Sequence, residues 1–176
     1  MLAAPHQPFT ELFHEHAPHA GRALRNLGVR EADLPDALQE VFLVVHRKLP
    51  SFRGDSSLRT WIYGICLRVA AAHRRRPHRA REVDLDEALP AAGATPHEEA
   101  ERREALERLD AALARLDDDK RAVFVLYELE ELTLAEVASA VSAPLPTVYS
   151  RLQAARKLIQ SVFGSPVAGS EKGGDP

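Results

Sequence analysis

Apolar residues recur at intervals of three and four along most of this chain, which is the spacing of one face of an α-helix. In the first half of the chain this spacing marks three segments, around Leu24, Val41 and Ile65. Runs that alternate apolar and polar residues and are enriched in β-branched side chains, as half-buried strands are, are nearly absent. The pattern therefore predicts an all-α protein.

Proline, glycine and serine residues indicate where the first three helices end or begin. Pro18 is expected to bend or interrupt the first helix, and Gly28 to close it, because glycine adopts the left-handed conformation found after many helices. Pro50 is expected to stop the second helix. Ser56 or Ser57 has the side chain that caps the start of a third.

The helical spacing is lost between Pro77 and Pro96, where proline, alanine, glycine and acidic residues predominate. Such a composition is typical of a flexible linker, and the Gly- and Ser-containing tail is typical of disorder. We therefore predict two small helical domains, a linker and a disordered tail. Their ranges are 7–76 for the first domain, 77–97 for the linker, 98–163 for the second domain and 164–176 for the tail.

A helix-turn-helix is predicted in the second domain. Thr133 and Glu136 have the spacing of a capping box, in which a hydroxyl and a carboxylate each accept a hydrogen bond from a backbone N–H group at the helix start. Residues 142–144 then form a turn of the length that two crossed helices require. Pro146 suits the first turn of the following helix, where its missing N–H group is not needed.

The second helix of this motif has one apolar face, which includes Val148, Leu152 and Ile159, and an opposite face nearly free of acids. A helix that reads the major groove needs short polar side chains for base edges and cations for phosphates. An ordinary solvated face is the alternative, but the coincidence of short helix, turn and polar helix favours DNA binding. The candidate residues are Thr147, Tyr149, Ser150, Arg151, Gln153 and Arg156.

The third helix of the first domain combines aromatic side chains near its start with arginines toward its end. An unstacked base gains roughly 1–3 kcal/mol by stacking on an aromatic ring while cations hold the backbone, so this helix suits single-stranded or melting DNA. Two other interpretations stay open. Trp61 can be a core residue, and Arg74, Arg75 and Arg76 can be a solvated helix end that the helix dipole favours.

The second helix begins with Asp36, Gln39 and Glu40, and Leu43 is expected to be exposed beside them. This acidic and apolar stripe suits a helix of another protein. Acids at a helix start are also favoured by the helix dipole alone, so the residues leave both interpretations open.

The chain has 176 residues, of which 45% are apolar and 28% charged, as in soluble globular proteins. Its first residues lack the basic start and apolar stretch of a signal peptide, and no run approaches the roughly 20 apolar residues of a membrane span, so we expect a cytoplasmic protein without membrane insertion. The net charge of −3 argues against tight DNA binding by bulk electrostatics. Residues 68–81 nevertheless contain six arginines and no acid, which predicts a local basic patch.

Neither catalysis nor a metal site is indicated. The single cysteine, Cys66, cannot form an internal disulfide and lies among apolar residues, so we interpret it as a packing residue. His14, His16 and His19 are close in sequence, but His14 and His16 point to different helix faces and lack a further ligand at suitable spacing. Without a catalytic triad, paired carboxylates or a phosphate-binding loop, we expect no enzyme activity, no catalytic residues, no metal and no cofactor.

Four stretches of the chain resemble extracytoplasmic-function sigma factors, a class of specificity subunits of bacterial RNA polymerase. Residues 36–42, Asp-Ala-Leu-Gln-Glu-Val-Phe, and residues 49–62, Leu-Pro-Ser-Phe-Arg-Gly-Asp-Ser-Ser-Leu-Arg-Thr-Trp-Ile, resemble region two of that family. Residues 132–138, Leu-Thr-Leu-Ala-Glu-Val-Ala, and 146–156, Pro-Thr-Val-Tyr-Ser-Arg-Leu-Gln-Ala-Ala-Arg, resemble region four. The two regions occur in the family order and cover nearly the whole chain.

The resemblance implies a sigma factor that directs promoter-specific transcription initiation by recognising and melting promoter DNA. The implied partners are promoter DNA, an anti-sigma factor, and core RNA polymerase through the clamp helices of its largest subunit and its upstream-facing flap. The residues implied for the clamp helices are Asp36, Gln39, Glu40 and Leu43. Those implied for the minus-ten element are Arg59, Thr60, Trp61, Arg68, Arg74 and Arg75, and the face from Tyr149 to Arg156 matches the reader of the minus-thirty-five element.

Four positions depart from the family pattern. An Asn and an Asp that are common in the minus-ten-reading helix are Arg68 and Ala72 here. The usual Gly at the start of the recognition helix is Pro146, and the usual basic residue three places on is Tyr149. The resemblance therefore implies the role of these helices but not the promoter sequence that they read.

Two other functions remain open at this point. The chain can be a stand-alone helix-turn-helix regulator whose first half senses a signal or dimerises, or a helical adaptor that binds only proteins. A sigma factor should comigrate with core polymerase, whereas a stand-alone regulator should shift duplex DNA without it. An adaptor should keep its function when Arg151 and Arg156 are replaced with alanine.

Overall fold

The computed structural model describes residues 8–76 and 95–163 and contains seven α-helices and no strand within these two ranges. The all-α prediction is therefore confirmed. The helices are α1 (Phe9–Asn26), α2 (Leu34–Lys48), α3 (Leu58–Arg75), α4 (Pro96–Leu113), α5 (Asp118–Phe124), α6 (Leu134–Val141) and α7 (Leu145–Phe163).

Helix α1 is continuous through Pro18. Of the two expected effects of this proline, a bend or an interruption, the interruption does not occur. Buried residues on both sides of the proline, such as Leu12 and Leu24, pack the helix against its neighbours, and this packing offsets the missing hydrogen bond. Gly28 closes the helix as predicted. Its φ is +90°, its N–H group donates to the carbonyl of Arg25 at 2.8 Å, and Val29 N–H donates to Leu24 at 3.1 Å, which is a Schellman ending.

The first domain is a bundle of α1, α2 and α3. Helix α2 ends at Lys48, two residues before Pro50, which lies in a short 3₁₀ turn. Ser57 rather than Ser56 caps α3, since its hydroxyl accepts a hydrogen bond from Thr60 N–H at 3.1 Å. Cys66 is fully buried in this bundle, as expected of a packing residue, and burial raises the pKa of its thiol to about 12.

Helix α4 begins at Pro96 with a capping box between Thr95 and Glu98, so its first residues lie inside the stretch predicted as linker. It ends at Leu113. Leu116 follows Leu113 at helical spacing but lies beyond the end of α4, because Asp117, the cap of the next helix, follows directly. The rest of the predicted linker, residues 77–94, and the predicted tail, residues 164–176, lie outside the described residues.

Helix α5 continues into a wider π-helical turn, Val125–Leu129, that the apolar spacing did not predict. The turn closes with the N–H group of Glu130 donating to the carbonyl of Val125 at 3.0 Å. Glu130 is only 1% exposed, although it is an acid.

The predicted helix-turn-helix is present. The N–H group of Glu136 donates to the hydroxyl of Thr133 at 3.3 Å, and Thr133 N–H donates to the carboxylate of Glu136 at 2.9 Å, so the capping box starts α6 as expected. Ser142, in the left-handed conformation with φ of +52°, ends α6. Helix α7 follows after the short turn, with Pro146 in its first turn.

We expect Thr133→Ala to lower the free energy of unfolding by about 1 kcal/mol, the usual loss when a hydroxyl cap is removed. Urea denaturation followed by circular dichroism measures it. Ser139→Ala is the control, because Ser139 is exposed within the same helix and caps nothing in the structure. An equal loss in both variants would contradict the assigned role of Thr133.

The two predicted domains pack directly against each other. Their buried residues form one continuous apolar cluster, and α3 of the first domain lies against α6 of the second. The approach is closest at Gly64, where an added Cβ atom would lie 3.3 Å from the carbonyl oxygen of Ala140. The glycine therefore permits a contact between helix backbones that a larger residue would disturb.

Candidate nucleic-acid interface

Helix α7 separates a buried face from a polar face, as the sequence predicted. Val148, Leu152 and Ala155 are buried against the other helices of the second domain. On the opposite side Tyr149 is 55% exposed and Ser150 is also exposed. The other four candidates are half-buried, namely Thr147, Arg151, Gln153 and Arg156.

An exposed apolar residue at the start of α7 was not foreseen from the sequence. Leu145 is 49% exposed, one turn before Tyr149. Apolar side chains at the start of a recognition helix can contact the methyl group of thymine, so Leu145 joins the polar residues of α7 as a candidate.

Both arginines of the candidate reading face are held by acids of the second domain. Arg151 Nη2 lies 2.5 Å from Asp119 Oδ2, and Arg156 Nε lies 2.6 Å from Glu128 Oε1. The guanidinium of Arg156 also lies 5.4 Å from the ring centroid of Tyr127. Partly exposed ion pairs of this kind contribute little to stability, so phosphate groups can replace the acids at little cost.

The candidate residues at the start of α3 differ in their accessibility. Arg59 is exposed, yet its Nη2 donates to the backbone carbonyl of Glu130 at 2.6 Å. Thr60 is 1% exposed, and its hydroxyl donates to Glu136 at 3.3 Å. Trp61 is half-buried, with its ring centroid 5.1 Å from that of Phe52, so it is partly a core residue.

The basic end of α3 borders a cavity of about 330 Å³ between the two domains. Arg68 and Arg75 line it and are exposed. Arg74 is half-buried. Its Nη2 lies 2.8 Å from Asp118 Oδ2, and its Nη1 donates to the backbone carbonyl of Leu27. Arg151 of α7 lines the same cavity, so the structure brings candidate residues of both DNA-reading sets to one place.

The acidic and apolar stripe of α2 is largely open. Asp36 and Gln39 are exposed, and Leu43 is 56% exposed, as the sequence predicted. Glu40 is half-buried, because its Oε2 accepts from the buried ring of His73 at 3.1 Å and from Arg76 at 3.2 Å.

Glu130 is a residue that sequence reasoning missed. Its carboxylate accepts hydrogen bonds from Tyr63 Oη at 2.6 Å and from Arg22 Nη2 and Nε at 2.9 and 3.1 Å. Burial, and the hydrogen bond to Glu130, raise the pKa of Tyr63. The signal in the sequence was helical spacing, because Glu130 follows Leu126 by four residues and Val123 by seven and so falls on their apolar face.

The described residues offer neither a metal cluster nor a membrane span. Within 8–76 and 95–163, no group of three or more His, Cys, Asp or Glu side chains could hold a metal ion. No helix in the same ranges combines the length and the apolar character needed to cross a membrane.

Comparison with protein families identifies both domains. The model of Sigma-70 region 2 matches residues 12–80, and that of Sigma-70 region 4 matches residues 106–159. The ECF RNA polymerase sigma-E factor of Escherichia coli K12 is 33% identical over 154 residues, which cover 81% of this chain and 80% of that protein. The protein of the same description from Haemophilus influenzae is 31% identical over 144 residues, 76% of each chain.

Solved structures share the fold. CnrH, in complex with the cytosolic domain of CnrY, superposes with a TM-score of 0.68 at 23% identity and covers 89% of this chain and 87% of its own. The sigma factor RpoE of Bartonella quintana, in complex with the anti-sigma factor NepR, superposes with a TM-score of 0.67 at 18% identity and covers 92% of this chain and 98% of its own.

A region 2 bundle followed by a region 4 helix-turn-helix defines a sigma factor of the sigma-70 type. The chain belongs to the extracytoplasmic-function class of these proteins, so the family expected from its motifs is confirmed. It acts as an RNA polymerase sigma factor in transcription initiation, and the family consists of transcription factors rather than catalysts.

Proposed function

We propose that this sigma factor guides polymerase through three separate surfaces on its two domains, 7–76 and 98–163. Helix α2 docks on the clamp helices of the largest subunit, α3 captures the melted minus-ten element, and α7 reads the minus-thirty-five element as duplex. The protein performs no bond chemistry of its own. The observation that carries the proposal is the exposed polar face of α7, set on a capped helix-turn-helix.

The polymerase contact is proposed on the stripe of α2. Leu43 is a large apolar side chain that is 56% exposed, one turn after Glu40 on the acidic first half of α2, which suits an amphipathic helix with basic residues beside its apolar face. Asp36, Gln39 and Glu40 complete this stripe. For the upstream-facing flap we propose the end of α7, where Leu158 and Phe163 are 38% and 40% exposed.

The minus-ten element is assigned to α3. Trp61 offers part of a ring for an unstacked base, and exposed Arg68 and Arg75 offer cations to the phosphates. Arg59, Thr60 and Arg74 belong to the same set, and all three contact the second domain in this structure. These three residues can therefore contact DNA only when the two domains separate.

The minus-thirty-five element is assigned to the exposed side of α7. Tyr149 and Ser150 lie in its first turns, where a recognition helix reaches base edges. Arg151 and Arg156 supply cations on the flank, and Thr147 and Gln153 supply further hydrogen-bonding groups. Because polymerase delivers both domains together, neither needs to bind DNA tightly alone, which fits the net charge of −3.

A regulator and a place of action complete the proposal. Since RpoE of Bartonella quintana is bound by the anti-sigma factor NepR, we propose that an anti-sigma factor also binds this chain. Binding to polymerase and promoter DNA would locate the sigma factor in the cytoplasm, at the nucleoid.

The proposal is tested by adding the purified chain to core polymerase that lacks any other specificity subunit. Transcripts from a fragment library of bacterial genomic DNA are then sequenced at their 5′ ends. We expect start sites to cluster downstream of a shared pair of sequence elements. Starts without a shared element would contradict promoter recognition, and duplex binding that needs no polymerase would favour a stand-alone regulator.

We expect Leu43→Asp to weaken binding to core polymerase at least tenfold, because a buried apolar anchor of an interface commonly contributes about 2 kcal/mol or more. Fluorescence anisotropy of the labelled chain against core polymerase measures the affinity. Leu106→Asp is the matched control, since Leu106 is similarly exposed, at 53%, and lies on α4 outside the proposed surfaces. If both substitutions weakened binding to core polymerase equally, the result would contradict a contact between Leu43 and polymerase.

A further inference from the structure

Two large exposed side chains at the start of α7 are apolar or aromatic. Leu145 is 49% exposed and Tyr149 is 55% exposed. They are four residues apart, so they lie side by side on the helix surface, with about 5–6 Å between their Cβ atoms. In the part of the chain that the structure describes, no hydrogen bond, ion pair or ring contact holds the Tyr149 side chain. We call these two residues the Leu145–Tyr149 pair.

Charged side chains are absent from this part of the helix. Residues 145–150, Leu-Pro-Thr-Val-Tyr-Ser, contain neither an acid nor a base. Guanine is most often read by an arginine or lysine that hydrogen-bonds its O6 and N7 atoms. Arg151 and Arg156 come later in α7 and are held by acids of the second domain, a placement that suits phosphates on the flank. The start of α7 therefore lacks the usual side chains for reading guanine.

The backbone at the start of α7 also offers few hydrogen-bond donors. The N–H groups of Thr147 and Val148 both donate to the carbonyl of Pro144, at 2.9 and 3.1 Å. Pro146 has no N–H group at all. A contact between this helix start and a base must therefore rely mainly on side chains, and the exposed side chains there are mostly apolar.

Thymine is the base that matches such a surface. It alone presents a methyl group, on C5, in the major groove, and apolar side chains contact that methyl group directly. Burying the methyl group against a leucine or a tyrosine ring is favourable because apolar surface leaves water. The Tyr149 and Ser150 hydroxyls remain as hydrogen-bonding groups for neighbouring base edges.

We propose that the Leu145–Tyr149 pair reads the 5-methyl groups of thymine in the minus-thirty-five element. The base pairs that face the first two turns of α7 are then A·T pairs rather than G·C pairs. The inference rests on the proposed function, because it names the base that the reading face of α7 selects.

The test replaces each thymine of the upstream element with deoxyuridine, which lacks only the 5-methyl group and keeps the base pair. The promoter is one that the reconstituted holoenzyme selects from the genomic library, and run-off transcription measures initiation. We expect about a fourfold loss at one or two positions, the usual effect of one buried methyl group. Deoxyuridine between the two promoter elements is the control and should have no effect. Equal initiation from thymine and deoxyuridine at every position of the element would overturn the proposal.

Substitutions in the protein show whether the methyl group contacts these two side chains. In Leu145→Ala and Tyr149→Ala holoenzymes, initiation should be weaker and should no longer distinguish thymine from deoxyuridine at the contacted position. Tyr149→Phe keeps the ring and should keep the distinction, as should Leu106→Ala, which changes a similarly exposed leucine on α4. An effect of the methyl group on DNA shape would persist in both alanine variants, and that result would overturn the contact.

A change of specificity provides a further test. Arginine at position 149 can hydrogen-bond guanine O6 and N7, so Tyr149→Arg should shift the preferred base at one position of the element from thymine to guanine by at least about fivefold. Promoters that carry a G·C pair at each position in turn are compared. An unchanged preference at all positions would contradict the placement of Tyr149 against base edges.

Failure of this inference and failure of the proposed function give different results. If only the inference is wrong, the holoenzyme still selects promoters but uses deoxyuridine as well as thymine. If the chain instead binds duplex DNA without polymerase, fluorescence anisotropy of the free chain with the same two fragments should still show the methyl effect. A chain that neither directs selective initiation nor binds a selected duplex would overturn both.

Discussion

Replacing Arg151 and Arg156 together with alanine is expected to reduce initiation from a selected promoter by about 30-fold or more. Each charge-assisted hydrogen bond between an arginine and a phosphate contributes about 1.5–3 kcal/mol, and the two free-energy losses add. Run-off transcription with reconstituted holoenzyme measures the effect. The affinity for core polymerase should stay the same, because neither residue belongs to the stripe of α2 or to the exposed apolar pair Leu158 and Phe163 at the end of α7.

The acids that pair with these arginines provide the control. Asp119 and Glu128 hold the two guanidinium groups at 2.5 and 2.6 Å. If the ion pairs matter only for the fold, Asp119→Asn with Glu128→Gln should impair transcription as the arginine variants do. If the arginines contact DNA, removing the competing acids should leave initiation intact or increase it. Impairment by both pairs of substitutions would contradict a direct role on DNA.

Leu126→Ala is expected to lower the free energy of unfolding by 2–5 kcal/mol, the usual range when a fully buried leucine leaves a cavity. Leu126 is 0% exposed and lies in the π-helical turn, within the apolar cluster that both domains share. Urea denaturation of the full chain, extrapolated to water, measures the loss.

Leu106→Ala makes the same chemical change at a site that is 53% exposed, and we expect it to alter stability by less than about 0.5 kcal/mol. A similar small effect at Leu126 would mean that the turn is loosely packed. The shared core would then be weaker than its burial indicates.

Local chemistry explains which structural predictions succeeded. Gly28 ends α1 because a residue in the left-handed conformation is needed there, and Thr133 begins α6 because its hydroxyl reaches the nearby backbone. Such signals act over three or four residues, so a sequence window contains all of their physics. The exposed Leu43 and the polar face of α7 were predicted for the same reason, since helical spacing assigns a face to each residue.

The unsuccessful or missing predictions concern longer-range effects. Packing on both sides keeps α1 continuous at Pro18, although the residue alone favours a break. Glu130 is 108 positions from Arg22 and 67 from Tyr63 along the chain, so no local pattern connects them. The burial of Thr60 likewise depends on Glu136, which belongs to the other domain.

The amino-acid sequence by itself determined the helices, the division into two regions, the family and the exposed faces that carry the candidate residues. These properties follow from side-chain spacing, capping chemistry and motifs that are local in the chain. Only the tertiary structure decided which candidate residues are open and which are covered. That outcome depends on how region 4 packs on α3, because a buried acid such as Glu130 is stable only where distant donors meet it.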